Sequence, residues 1–198
     1  FKKRTNSFEK EDIESTVINL SEYPEDQELL ETTYYDRKAL EHWSKDIVSE
    51  NKVDLQVNGL EDLLSSPHPF IQLLHDSLHL AYVNNITCIN VPKNGEKGLK
   101  GIVTNEDVYN AYPHPDKAID ITLRGHQIKK MLEYTYSYIQ FEQNQLSMTI
   151  IDETLCTLWQ GFDYEVDMSA PRFDRVNIKN IELDEKYRVT MTDYCYRN

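Results

Sequence analysis

The stretch from Ile119 to Ile139 constrains the fold more than any other, because its hydrophobic period changes at a single glycine. Ile119, Ile121 and Leu123 alternate with Asp120 and Thr122, the pattern of a strand with one buried face. Arg124-Gly125 ends that pattern. Ile128, Met131, Leu132, Thr135 and Ile139 then recur at helical spacing, a stripe wide enough to cover a sheet face. A strand and a helix joined this closely pack on one another, so the chain must contain a sheet with a helix against it.

The rest of the sequence supplies further elements without repeating a strand–helix–strand unit. Thr87 to Val91 reads as a short strand. Phe162 to Asp167, Val176 to Ile181 and Tyr187 to Met191 each alternate as strands, with Leu183-Asp184-Glu185 as a turn between the last two. Pro67-His68-Pro69 predicts a helix from Phe70 to about Tyr82. Val53 to Ser66 carries an acidic and apolar pattern broken at Gly59. Leu29, Leu30, Thr33, Leu40, Trp43 and Ile47 predict one long amphipathic helix after Pro24, a connecting helix with a solvated acidic face. Thr16 to Leu20 reads as a short strand closing an upstream sheet. The mixture predicts an α+β domain, mixed sheets flanked by helices, rather than a Rossmann-like sheet.

Charge and motif content exclude several functions. A net charge of -13 argues against gripping a nucleic-acid polymer, which requires a basic face, while leaving a single nucleotide possible. No apolar run is long enough for a transmembrane span. Cys88, Cys156 and Cys195 form no C-x-x-C pair, so neither a zinc knuckle nor a disulfide framework is indicated. No nucleophile-elbow, phosphate-loop or dinucleotide glycine motif is present. His75-Asp76-Ser77-Leu78-His79 sets two imidazoles one helical turn apart. An aspartate stands where a zinc protease has its glutamate, and no third ligand follows, so both histidines read as caps of a packed helix face. With 34 acidic residues, close carboxylate pairs are inevitable and mark no acid–base site. The chain begins at Phe1 without methionine or leader and reads as a piece of something longer.

The 13 tyrosines are more informative, since each offers a flat ring for stacking and a hydroxyl for hydrogen bonding. Tyr112 stands in the run Val103-Thr104-Asn105-Glu106-Asp107-Val108-Tyr109, then Tyr112-Pro113, Ile119 to Leu123, Gly125 and Leu132-Glu133. A second block runs Gly161-Phe162-Asp163-Tyr164-Glu165-Val166-Asp167-Met168-Ser169 with Pro171-Arg172-Phe173-Asp174-Arg175-Val176. A third has Tyr187-Arg188-Val189 leading to Thr192-Asp193-Tyr194. In this order the blocks resemble the C-terminal domain of the 5'-nucleotidase family, and look most like its 2',3'-cyclic-nucleotide 2'-phosphodiesterase/3'-nucleotidase branch.

The resemblance implies a nucleotide-binding C-terminal domain over residues 51–198, with residues 1–50 as the tail of an upstream metallophosphoesterase domain and a linker helix. It implies a base clamped between Tyr112 and Tyr194. His114 stands where relatives carry an asparagine, and Asn94 and Lys97 stand in the loop where relatives carry an arginine for sugar or phosphate. It places no catalytic or metal-binding residue in this chain. Two divalent metal ions belong to the companion domain before Phe1, so the chain alone is expected to be inactive. A Gly-Gly-Asp segment is expected beyond Asn198, and an extracellular, cell-wall or periplasmic location is implied. The alternative is a non-catalytic interaction module that kept the fold and lost the nucleotide site.

Overall fold

The computed structural model describes residues 2–4, 7–9, 15–64, 68–90, 98–143, 145–149 and 153–197. The chain divides into two compact units, Phe1–His42 and Trp43–Asn198. In the first, β1 (Lys2–Arg4) pairs antiparallel with β2 (Ser7–Glu9), and α1 (Gln27–Thr32) precedes α2 (Tyr34–Lys45), which runs into the second. The long helix expected here is two helices. At Thr33 the backbone turns to φ −93°, ψ 3°, and the Thr33 hydroxyl donates to the Leu29 carbonyl at 2.7 Å. A β-branched residue that bonds back to the preceding turn competes with helix continuation. The strand expected at Thr16 to Leu20 does not form. Asn19 instead caps a 3-10 turn at Leu20–Glu22, its Oδ1 accepting from the Ser21 N–H at 3.2 Å, and Val17 stays fully exposed.

The second unit runs β3 (Ile47–Gln56), α3 (Leu60–Leu64), α4 (Pro69–Ala81), β4 (Ile86–Asn90), β5 (Gly98–Thr104), α5 (Asn105–Ala111), β6 (Ala118–Arg124) and α6 (Gly125–Ser137). It continues with β7 (Ile139–Glu142), β8 (Gln145–Met148), β9 (Thr157–Gln160), β10 (Asp163–Val166), β11 (Val176–Lys179), β12 (Lys186–Thr192) and α7 (Asp193–Arg197). The central sheet has the order β6-β12-β4-β9. β12 lies parallel to β4 and antiparallel to β6, and β4 lies antiparallel to β9. Smaller antiparallel pairs are β3-β5, β7-β8 and β10-β11. The architecture is α+β with mixed sheets and flanking helices.

β4 shows why the sheet is central. Its five residues are all buried, as in a strand covered on both faces. Ile86 and Cys88 join Ile128, Leu132 and Tyr136 of α6 in one core, while Ile89 on the opposite face joins Phe70, Ile71 and Leu78 of α4 in another. α4 starts as its sequence requires, with Pro69 in the first turn and the His68 Nδ1 accepting from the Phe70 N–H at 3.2 Å. The turn expected between β11 and β12 does not make them a hairpin. β11 pairs with β10, and β12 enters the sheet between β6 and β4, where Val189, Thr190, Met191 and Thr192 are buried.

The β10-β11 hairpin is fixed to α6 by two charged residues. The buried Glu133 carboxylate accepts from the backbone N–H of Arg175 and of Val176, both at 2.9 Å. The Arg175 guanidinium donates to the carbonyls of Tyr136 at 2.6 Å, Ile139 at 2.9 Å and Ala170 at 3.2 Å, tying the loop of this hairpin to the end of α6 and the start of β7. Gly161 leads into this hairpin at φ +106°, and a Cβ there would lie 2.0 Å from the Asn85 carbonyl oxygen, so only glycine fits. No helix among the described residues is long and apolar enough to cross a membrane.

Candidate nucleotide-binding site

The site begins with α5. Thr104 caps it: its hydroxyl accepts from the Asp107 N–H at 3.3 Å, and the Asp107 carboxylate returns a bond from the Thr104 N–H at 2.8 Å. These bonds hold the Asp107 carboxyl below the usual carboxylate range, the Thr104 backbone N–H contributing most. The helix stops at Tyr112 because Pro113 disfavours a helical residue before it, and Tyr112 adopts φ −148°, ψ 81°. Its half-buried ring meets the His114 ring edge to face, with centroids 5.3 Å apart and planes at 86°. Its hydroxyl donates to Asp116 Oδ2 at 2.8 Å. His114 is thus a neighbour of the Tyr112 ring.

Tyr194 lies on α7, directly after β12, and is also half-buried. Its hydroxyl lies 3.0 Å from the Thr154 hydroxyl. The two tyrosine-bearing segments are joined through their main chains. The Asp193 N–H donates to the Lys117 carbonyl at 2.8 Å, and the Lys117 N–H donates to Asp193 Oδ1 at 2.9 Å. This pair continues the β6-β12 ladder beyond Ala118↔Thr192. The Lys117 N–H is the chief cause holding the Asp193 carboxyl below its ordinary range, assisted by Arg197, whose Nη2 lies 3.0 Å from Asp193 Oδ2. One end of one sheet therefore carries both segments, with Tyr112 and Tyr194 each a few residues from the Lys117–Asp193 junction.

Sequence reasoning did not single out Asn90, the residue that organises this end from inside. The Asn90 Oδ1 accepts from the Thr192 hydroxyl at 2.8 Å and the Cys195 thiol at 2.9 Å, and its Nδ2 donates to the Thr154 carbonyl at 2.6 Å. It links β4, β12, α7 and the residue that holds the Tyr194 hydroxyl. The available signal was an amide side chain at the end of a strand with no other amide or charged residue. Beside it, Cys195 Sγ lies 4.0 Å from Cys88 Sγ, and all three cysteines are buried thiols outside any disulfide. A cavity of about 260 Å³ opens beside α7, lined by Asn90, Lys130, Met131, Tyr134, Leu155, Thr157 and Cys195. Asn94 and Lys97 lie outside the described residues.

The site offers two half-buried phenol rings and carboxylates engaged by backbone and cationic groups. Among the described residues no three His, Cys, Asp or Glu side chains converge to hold a metal ion. His75 is buried against β4 with Nδ1 2.7 Å from the Thr87 hydroxyl, and burial, assisted by nearby His79, lowers its pKa to about 4. Among the other tyrosines, Tyr136 belongs to the core, its hydroxyl 3.1 Å from that of Tyr164, while Tyr134 packs edge to face on Tyr138.

Comparison with known proteins follows the same lines. The fold is similar to that of a Staphylococcus aureus protein assigned as a 5'-nucleotidase and solved with alpha-ketoglutarate, with a TM-score of 0.75 and 22% identity over 90% of this chain and 36% of that one. It is similar to a 5'-nucleotidase precursor of Thermus thermophilus, with a TM-score of 0.62 and 21% identity over 86% of this chain and 34% of that one. A Haemophilus influenzae NAD nucleotidase gives a TM-score of 0.55 and 13% identity over 85% of this chain and 32% of that one. The chain thus spans about a third of the length of these proteins. Comparison of the sequence with curated proteins returned no significant match. The profile of the 5'-nucleotidase C-terminal domain matches residues 38–198, and the chain belongs to that family.

Proposed function

We propose that this domain grips the nucleoside part of a nucleotide between Tyr112 and Tyr194, within a two-domain metal-dependent nucleotidase or 2',3'-cyclic-nucleotide phosphodiesterase. The observation that carries the reading is the Lys117–Asp193 junction, which holds both tyrosine-bearing segments at one end of the central sheet. Stacking on an aromatic ring is worth about 1–3 kcal/mol per base and tolerates every base, so broad base specificity follows. His114, packed on Tyr112, sits where it can set the tilt of that ring.

The chain's own contribution is positional. It supplies binding energy at the nucleoside and thereby fixes where the phosphate lies relative to a companion metallophosphoesterase domain of the same polypeptide. Two divalent metal ions in that companion domain supply the activation of water and the stabilisation of charge on phosphate. On this reading the chain alone binds nucleotides without hydrolysing them, and the whole protein acts at the cell surface, in the cell wall or in the periplasm.

Tyrosine fluorescence of the folded chain, titrated with adenosine and with 3'-AMP, tests the reading. Saturable quenching is expected, weakened in both Tyr112→Ala and Tyr194→Ala. A folded chain that gives no saturable signal, or one whose binding survives both substitutions, would sink the clamp and favour a non-catalytic interaction module.

A further inference from the structure

Cys88 and Cys195 stand 107 residues apart in the chain, yet their Sγ atoms are 4.0 Å apart in the fold. The topology explains the approach. Met191 lies opposite Cys88 in the parallel β4-β12 pair, and α7 begins two residues later, which brings Cys195 back over Cys88. A sulfur–sulfur bond is about 2.05 Å long, so the two atoms have to close by about 2 Å. A side-chain rotation or a small shift of the five-residue α7 covers that distance.

The third thiol is kept out of this pair. Cys88 and Cys195 both belong to the core that contains Ile128 and Leu132 of α6. Cys156 belongs to the other core, with Ile89 and Phe70. Successive residues of a strand point to opposite faces, so Cys88 turns away from the side that Ile89 shares with Cys156. The two paired thiols also differ in reach. Cys88 is fully buried on β4, and burial holds its thiol in the protonated form, which is a poor nucleophile. Cys195 is on a helix too short to be stable by itself, so local opening of α7 brings it to solvent while Cys88 stays between β12 and β9.

We propose that Cys88 and Cys195 are a thiol–disulfide pair, which a small-molecule disulfide converts into a cystine bridge that fastens α7 to the central strand. The Cys195 thiolate, formed as α7 opens, attacks one sulfur of the small disulfide, and the thiolate that departs takes up a proton. Cys88 then attacks the Cys195 sulfur in the mixed disulfide, and its proton goes to the second departing thiolate. Two protein thiols are thus oxidised and one small disulfide is reduced to two thiols. The bridge replaces the Cys195 S–H bond to Asn90 Oδ1, which keeps its Thr192 donor. It anchors the residue next to Tyr194, and it stands whether or not Tyr194 stacks on a base.

The test treats the reduced, folded chain with bis(2-hydroxyethyl) disulfide, alkylates the remaining thiols and maps the product by mass spectrometry. Trypsin places the three cysteines in separate peptides, 53–93, 131–172 and 189–197. The expected product has lost two hydrogens, joins peptides 53–93 and 189–197, and carries the alkyl group on Cys156. Its Tm is expected to exceed that of the reduced chain by roughly 10 °C, because the bridge closes a long loop in the unfolded chain, and a reductant should restore the original value. Cys195→Ser should show neither change, and Cys156→Ala should show both. A bridge that includes Cys156, a stable adduct of the reagent on Cys195, or thiols that stay reduced while those of the urea-unfolded chain oxidise would each overturn the proposal. So would a bridged chain whose Tm is unchanged or lower.

Discussion

The contact between α6 and the β10-β11 hairpin and the end of the sheet bearing Tyr112 and Tyr194 both carry the sequence blocks that identify the family, yet they are built in opposite ways. At the first, Glu133 is buried and spends both carboxylate oxygens on backbone N–H groups, while Arg175 spends its guanidinium on carbonyls. Polar groups satisfied internally offer nothing to a ligand. At the second, two rings stay half-buried, one just past the end of α5 and one on α7, elements of seven and five residues, and are tethered by their hydroxyls and the Lys117–Asp193 junction. The difference teaches that a family motif can hold the fold or be held by it, and packing separates the two.

The comparison breaks first if Glu133 is replaceable. Glu133→Ala leaves the backbone N–H groups of Arg175 and Val176 without their acceptor, and is expected to cost about 3–5 kcal/mol. In a domain of this size that lowers Tm by roughly 10 °C, read by circular dichroism. An unchanged Tm would mean that the hairpin is not held this way.

A pH series probes the α4 side of the sheet. His75 has a folded-state pKa of about 4 against an ordinary 6.5. Between those values the unfolded chain binds a proton that the folded chain refuses, so this residue's contribution to stability is complete above about pH 6.5 and declines as pH falls toward 4. The loss approaches ~3 kcal/mol at the low end. Urea denaturation should show that slope, and His75→Gln should flatten it; identical slopes would remove His75 as the cause.

The opposite signature is expected at the other region. Tyr112→Ala and Tyr194→Ala should each weaken adenosine binding by about 5- to 100-fold while leaving Tm within a few degrees, because the rings are only half-buried. A large loss of Tm without a specific loss of binding would move these tyrosines into the structural class with Glu133. The smallest effect is reserved for Tyr194→Phe, which keeps the ring and removes the hydroxyl that bonds Thr154. Stability should change by less than about 1 kcal/mol, and calorimetry should show nearly unchanged affinity.

Much of the fold was legible because local period and capping chemistry coincide with it. The alternation at Ile119 to Leu123, the stripe on α6 and Pro69 at the start of α4 each became the element that they encode. Legibility failed where long-range pairing decides. β12 looked like the partner of β11, but four successive buried residues belong to a strand with neighbours on both sides, which come from residues distant in sequence. The break at Thr33 depends on one hydroxyl choosing a carbonyl, and Thr16 to Leu20 has strand chemistry without a sheet to join. Of the site, the motif order pointed to Tyr112 and Tyr194, whereas Asn90 was invisible because its role exists only once four segments converge on it.

The most direct measurement is the set of intermolecular nuclear Overhauser effects between adenosine and the folded chain. The account predicts contacts from the adenine ring protons to the rings of both Tyr112 and Tyr194. Saturable binding with contacts to neither ring would contradict it.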